Sequence, residues 1–260
     1  MSCQRLFIMG LQLIYDVRKM AYVMARALGV SIILTFISCM VPQSALSEVI
    51  VHDMVVLKGK KVLLRGETKG KLFSKGGEMI EFFVDGKSLG STLSGGDGLA
   101  LRQFVPPRPG LYSVTARSRN EQGMGVLLAL RKGAGIIFID AEGSVMESLF
   151  SGRPMSKSQK AIKEIGRKFP IVFLQTGFAG IKTLKQWLKE NGFMICPVVP
   201  WNNGAIFDEM NEKGFTIKAV IGGPHIVQSA IKYHPLAFSF QEDENAVVVK
   251  DWEEIQKRLR

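Results

Sequence analysis

The hydrophobic pattern of this chain changes period near residue 133, and a chain that changes period must change its kind of layer. Before that point the apolar segments are short and strand-like: "VIVHDMVVL", "KVLLRGET", "EMIEFFVDG", "LALRQFV", "LYSVTARS" and "GVLLALR". Turn signals separate them, among them Lys58-Gly59-Lys60, Gly76-Gly77, Asp85-Gly86, Gly95-Gly96-Asp97-Gly98 and Pro106-Pro107-Arg108-Pro109-Gly110. Short strands at roughly 8–12-residue spacing predict an all-β sandwich over residues 48–132. Asp85-Gly86 predicts a tight hairpin. In "GLYSVTARS", Tyr112, Val114 and Ala116 alternate with Ser113 and Thr115, as a half-buried strand requires.

Over residues 133–260 the apolar runs alternate with helical patterns. "GIIFID", "PIVFLQT", "FMICPVV", "IKAVIGG" and "LAFSF" read as buried strands. "SKSQKAIKEIGRKF", "GIKTLKQWLKENGF", "AIFDEMNEKGF", "HIVQSAIKY" and "DWEEIQKRL" read as helices between and after them. Ala161, Ile162, Ile165 and Phe169 share one face of the first helix, and Ser156 with Gln159 has capping-box spacing. In the second, Ile181, Leu184, Trp187 and Leu188 share a face, and Gly192 is placed to end it. The alternation predicts a Rossmann-like α/β domain, a parallel sheet covered on both faces. Ligands in such sheets bind beyond the carboxyl ends of the strands.

The first 47 residues read as an address rather than a fold. Ala27 to Val41 is a 15-residue run without a charge, preceded by Arg18, Lys19 and Arg26 and followed by "PQSALS". It is short for a spanning helix and suits a secretory signal. Three outcomes are compatible: cleavage after Ser47, lipidation at Cys39 in "FISC", or a retained anchor. Translation from Met20 or Met24 would give the signal its usual length. Each version places the body outside the cytoplasm, in the periplasm or beyond the cell. Two of the three cysteines, Cys3 and Cys39, lie in this segment, leaving Cys196 alone in the body. No zinc-type ligand spacing exists. The net charge of +11 is scattered and not interleaved with aromatics, so a nucleic-acid partner is not expected.

Asp140 ends the first strand of the α/β region, and Thr176 ends the second. Both therefore belong at the ligand-binding rim, where turn amides after Asp140 would add donors to an anion. Two carboxylates two positions apart, Asp140 and Glu142, are costly to place at the end of a buried strand.

In "FIDAEGSVM" and "FLQT" the region resembles the haloacid dehalogenase-like superfamily, mostly phosphatases and phosphotransferases. The likeness covers about 128 residues with the elements in the right order. It implies a hydrolase in which Asp140 is the nucleophile and a magnesium ligand, and Glu142 is the general acid and base. Thr176, with Gly143 and Ser144 of the turn, would hold the phosphate. A lysine would offset its charge, Lys213 or Lys218, though Lys218 falls within the fourth strand. "GSVMESLFSGRPM" is too short to hold a cap domain, so the resemblance implies a capless member. The family places acidic magnesium ligands after the fourth strand. Here that stretch is "VIGGPHIVQ", with His225 in their place, and no Asp or Glu occurs from Lys213 to Gln241. Magnesium would be held weakly.

"VDGKSLGSTLSGGDGLALRQFVPPRPGLYSVTA" resembles the later strands of bacterial immunoglobulin-like domains, which are mostly spacers or surfaces that bind sugar or protein. Two functions remain compatible with the sequence. One is an exported phosphatase acting through an aspartyl-phosphate. The other is a non-catalytic binding or envelope-associated protein that keeps the fold and has lost the metal site.

Overall fold

The structure is a computed structural model that describes residues 48–70, 74–148, 152–177 and 179–259. The expectations for residues 1–47, including the secretory segment, Cys3 and Cys39, lie outside the described residues. The described residues belong to one compact unit. Among the described residues no helix is long and apolar enough to cross a membrane.

Eight strands build a β-sandwich. Strands β1 (Glu48–Val51), β3 (Val62–Lys69) and β6 (Leu99–Phe104) form one antiparallel sheet in the order β1-β3-β6. Strands β2 (Met54–Leu57), β4 (Met79–Val84), β5 (Lys87–Leu93), β7 (Gly110–Ser118) and β8 (Glu121–Leu130) form the other, in the order β2-β8-β7-β4-β5. Val49, Val51, Leu64 and Ala100 of the first sheet pack on Ile80, Phe82, Val114, Ala116 and Leu127 of the second. The hairpin at Asp85-Gly86 forms with both residues at positive φ, 47° and 78°, as a two-residue turn of this hand requires. The run "VIVHDMVVL" is not one strand. It breaks at His52-Asp53, and its halves enter different sheets, with β2 parallel to β8.

From Gly135 the pairing becomes parallel. Strands β9 (Gly135–Asp140), β10 (Ile171–Gln175), β11 (Val198–Pro200), β12 (Thr216–Ile221), β13 (Leu236–Ser239) and β14 (Val247–Val248) lie in the order β11-β10-β9-β12-β13-β14. Counted from β9 this is 3-2-1-4-5-6, the doubly wound order, whose switch point falls between β9 and β12. One face is covered by α2 (Ser158–Gly166), α3 (Ile181–Glu190) and α6 (Trp252–Arg258), through Ile162, Leu184 and Trp252 among others. The opposite face is covered by α4 (Ala205–Glu212) and α5 (Pro224–Ala230), through Phe207, Met210 and Ile226. The capping box expected at Ser156 does not form. Helix α2 starts from Lys157 at φ 65° without a side-chain cap, and the Ser158 hydroxyl donates instead to the Met155 carbonyl at 2.6 Å. Gly192, at φ 71°, follows α3 as expected. The strand expected in "FMICPVV" is limited to Val198–Pro200, and β14, in the run Ala246-Val247-Val248-Val249, was not among the expected strands.

The second face is not covered by helices alone. Val55 and Leu130 of the sandwich are buried in the same cluster as Phe138, Val172, Leu174 and Phe207, with Leu57 and Leu128 packed beside them. Burying an aliphatic side chain of this size contributes about 1.5–3 kcal/mol, so this contact is part of the core. The polar counterpart is Asp53, whose side chain is fully buried. Its Oδ1 accepts from the Val126 N–H of β8 at 2.8 Å and from Lys185 Nζ of α3 at 2.7 Å. Its Oδ2 accepts from the Val198 N–H at 2.8 Å. Val198 begins β11, the sheet's edge strand, whose outward amide would otherwise lack a partner.

Asp53→Ala strands two backbone donors and one ammonium together. The expected cost is about 3 kcal/mol, the lower end for breaking a buried pair because Lys185 keeps some access to water. Chemical denaturation of the two proteins measures it. A loss under about 1 kcal/mol, the size of an ordinary surface substitution, would show that Asp53 does not join the two layers.

Candidate functional site

Strand β9 ends because the Asp140 side chain turns back on the chain. Asp140 is extended (φ −63°, ψ 109°), and its Oδ1 accepts from the Glu142 N–H at 3.2 Å, capping the one-turn helix α1 (Ala141–Ser144). Strand β10 pairs with β9 so that Leu174 faces Asp140, and Thr176 follows one residue after the end of β10. The Thr176 hydroxyl donates to Asp140 Oδ1 at 2.5 Å. The two residues expected at the rim are thus in direct contact, at the adjacent carboxyl ends of β9 and β10.

Glu142 does not project toward the mouth of the rim. The turn of α1 carries its carboxylate onto the segment after β10. Oε2 accepts from the Thr176 N–H at 3.0 Å and from the Gly177 N–H, and Oε1 accepts from the Ala179 N–H at 3.1 Å. Three backbone donors converging on one carboxylate form an anion-binding nest, and its occupant is the protein's own side chain. Both acids are buried, Asp140 at 4% and Glu142 at 6% exposure. Burial pushes the Asp140 carboxyl above the ordinary carboxylate range. Bonds from Thr176 and from the Gly143 and Glu142 amides pull it back in part, and the Glu142 charge adds to the rise.

The packing leaves no slack. A Cβ on Gly177 would stand 2.5 Å from Glu142 Oε1, and one on Gly143 would stand 2.2 Å from Asp140 Oδ2. Ser144 is buried, and its carbonyl accepts from the Trp252 indole N–H at 2.9 Å, which ties α1 to α6.

The remaining residues singled out from sequence lie elsewhere. Lys218 sits at an irregularity in β12, between the pairs Ile217–Ile136 and Ala219–Ile137. This is the start of β9, not its end, and the Lys218 ammonium lies 4.6 Å from the centre of the Phe169 ring. The structure does not bring it to Asp140. His225 is exposed on the first turn of α5, its ring 5.5 Å from that of Trp201. Trp201 Nε1 donates to Ser229 Oγ at 3.1 Å, so the Trp201 ring is held against α5. Lys213 donates to the Val55 carbonyl and to Glu209. Burial pushes the Cys196 thiol up to about 12, which leaves it unreactive.

The residues present do not fit a magnesium ion. Octahedral magnesium asks for oxygen ligands with carboxylates among them. Glu142 is engaged through both oxygens, and the end of β12 offers Gly222, Gly223 and Pro224. Asp208 is bound to Lys232 and Tyr233, and Glu209 to Lys213. Among the described residues no group of three or more His, Cys, Asp or Glu is placed to hold a metal. Sequence reasoning missed the amides that hold Glu142. The available signal was the extra methylene of Glu over Asp, which lengthens its reach.

No protein-family model matches the chain, and comparison with curated proteins finds no match. Solved structures similar to it include the D0-D1 domain of intimin, at 17% identity over 31% of this chain and 46% of that one, TM-score 0.26. They also include the CARDB domain of a Pyrococcus furiosus protein, at 12% identity over 32% and 95%, TM-score 0.25. A third is the fibronectin(III)-like modules of Clostridium thermocellum CbhA, at 16% identity over 32% and 97%, TM-score 0.22. This chain thus spans less than half of the intimin fragment.

Two measurements test the geometry. Gly177→Ala is expected to cost about 1–3 kcal/mol by overpacking against Glu142. Combining it with Glu142→Ala should cost less than the sum of the two single changes, because the clash is gone; strict additivity in denaturation would refute the contact. The second uses pH. An acid whose folded pKa is raised binds its proton more tightly in the native state, so native stability falls as pH rises through the ordinary carboxylate range. Asp140→Asn lacks that charge. Its Tm relative to wild type should therefore rise as pH increases from about 4 upward. A difference independent of pH would contradict the burial of an ionisable Asp140.

Proposed function

We propose that this chain is a non-catalytic binding protein built on an enzyme-like α/β scaffold. The observation that carries this reading is the position of the Glu142 carboxylate on the Thr176, Gly177 and Ala179 amides. In the haloacid dehalogenase-like superfamily, which the α/β half resembles through Asp140 and Thr176, that region would receive the phosphate. Here an internal anion fills it, and a substrate phosphate would meet both an occupied nest and the charge of Glu142. The same bonds remove Glu142 from the role of general acid and base, since that role needs a carboxyl within reach of the leaving group.

Hydrolysis of phosphate esters through Asp140 would require Glu142 to leave its three donors. It would also require a metal that these residues do not fit. The sandwich supports the binding reading, because it shares a core with the α/β layer and enlarges one rigid surface. The apolar run Ala27 to Val41 supports export of this body from the cytoplasm.

Phosphate release from a panel of phosphate esters, with and without magnesium, tests the proposal on the intact chain and on Asp140→Asn. The expected result is no turnover in either protein. Magnesium-dependent turnover in wild type that disappears in Asp140→Asn would overturn it. A second arm reads the nest directly: inorganic phosphate should raise the Tm of Glu142→Ala and leave that of wild type unchanged.

A further inference from the structure

Three segments converge at the end of the molecule opposite the rim. The Lys58 N–H donates to the Leu130 carbonyl at 2.8 Å, placing the β2–β3 turn beside Arg131 and Lys132. The Gly59 N–H donates to the Pro106 carbonyl at 2.9 Å, placing the same turn against the β6–β7 loop. That loop is held in shape by Tyr112, whose hydroxyl accepts from the Arg108 N–H at 3.0 Å and donates to the Arg108 carbonyl at 2.8 Å. Together the segments "LKGKK", "VPPRPGL" and "RKGA" present six exposed cations, Lys58, Lys60, Lys61, Arg108, Arg131 and Lys132, with no acidic residue among them. The salt bridges among the described residues use none of these six cations.

Aliphatic side chains stand among these charges. Leu63, Val105 and Leu111 are 47%, 44% and 42% exposed. Leu63 is two residues from Lys61, and Val105 and Leu111 flank the Arg108 loop. Cations that attract an anionic surface, interspersed with aliphatic tips that can enter its apolar boundary, match the chemistry of a lipid headgroup layer. Among the described residues this end has no exposed aromatic ring on which a base could stack, and helix α4 reaches it only by its C-terminal turn, where the Gly133 N–H donates to the Gly214 carbonyl at 2.7 Å, so it does not match nucleic acid.

We propose that this basic end, centred on Lys58, Lys60, Lys61, Arg108, Arg131 and Lys132, docks on an anionic lipid bilayer. The surface is separate from the rim, so its role does not depend on whether Asp140 is active. Attraction of this kind is additive over cations held near the surface and falls within a Debye length, so it weakens with salt.

Vesicle flotation of the intact chain tests the proposal, using neutral phosphatidylcholine vesicles and vesicles that also carry phosphatidylserine. The difference between the two removes lipid binding by the apolar run that does not depend on charge. Wild type is expected to favour the anionic vesicles and to lose that preference in high salt. Lys58→Gln, Lys60→Gln and Lys61→Gln together should weaken the anionic increment about a hundredfold. Lys160→Gln, Lys163→Gln and Lys257→Gln together remove equal charge from exposed positions on α2 and α6 and should leave it nearly unchanged. All six positions are exposed, so an unchanged Tm confirms that both triple variants fold. Equal losses in the two triple variants would overturn the proposal, since net charge alone would then explain binding. So would the absence of an anionic preference in wild type, or binding to a DNA duplex without binding to vesicles.

Discussion

The carboxylate of Asp53 is the interaction on which the joining of the two halves depends. A parallel sheet buries both faces and has outer strands whose amides need partners. Helices α2, α3 and α6 close one face, but α4 and α5 leave part of the other open, and the sandwich closes it with Val55 and Leu130. An apolar contact is non-directional. Asp53 supplies the direction, because its two oxygens bind an amide of β8, an amide of β11 and the ammonium of Lys185 at once. The Lys182–Glu48 ion pair at 2.5 Å marks the same seam on the surface. A sandwich that shares a core in this way is part of the body rather than a spacer beside it.

That rigidity reaches the rim. Lys185 belongs to α3, which follows directly from the segment whose amides hold Glu142. The segment is fixed from one side by α1 and from the other by a helix anchored on the sandwich. Thr176 contributes its hydroxyl to Asp140 and its amide to Glu142, so it joins the two acids into one network. Such a network is stable because every buried charge has donors. For the same reason it leaves little chemistry to spare: donors committed to an internal carboxylate are withheld from a ligand.

Much of the fold was legible. The change from short alternating strands to strand–helix alternation marks where antiparallel pairing gives way to parallel pairing, between Leu130 and Gly135. The Asp85-Gly86 hairpin and the Gly192 helix end were readable because each depends on a local backbone preference. The break at His52-Asp53 was not readable. Nothing near it in sequence shows that the Asp53 partners lie 73, 132 and 145 positions away. The expected Ser156 cap, a local motif, does not form: α2 starts from Lys157 at φ 65° without a side-chain cap, a backbone course that the spacing of Ser156 and Gln159 does not reveal.

At the candidate site the sequence alone determined that Asp140 and Thr176 stand at the carboxyl ends of adjacent strands, because strand length and the order of elements decide which residues reach the rim. It also determined that Glu142 carries one methylene more than aspartate and that no acid lies between Lys213 and Gln241, the stretch that holds β12 and the turn after it. Only the tertiary structure decided where that longer carboxylate goes. Side-chain reach permits several directions, and the choice among them is made by three amides that approach from the next strand. Their position depends on the register of β9 with β10 and on the packing of α3, and both are properties of the assembled sheet rather than of any one segment.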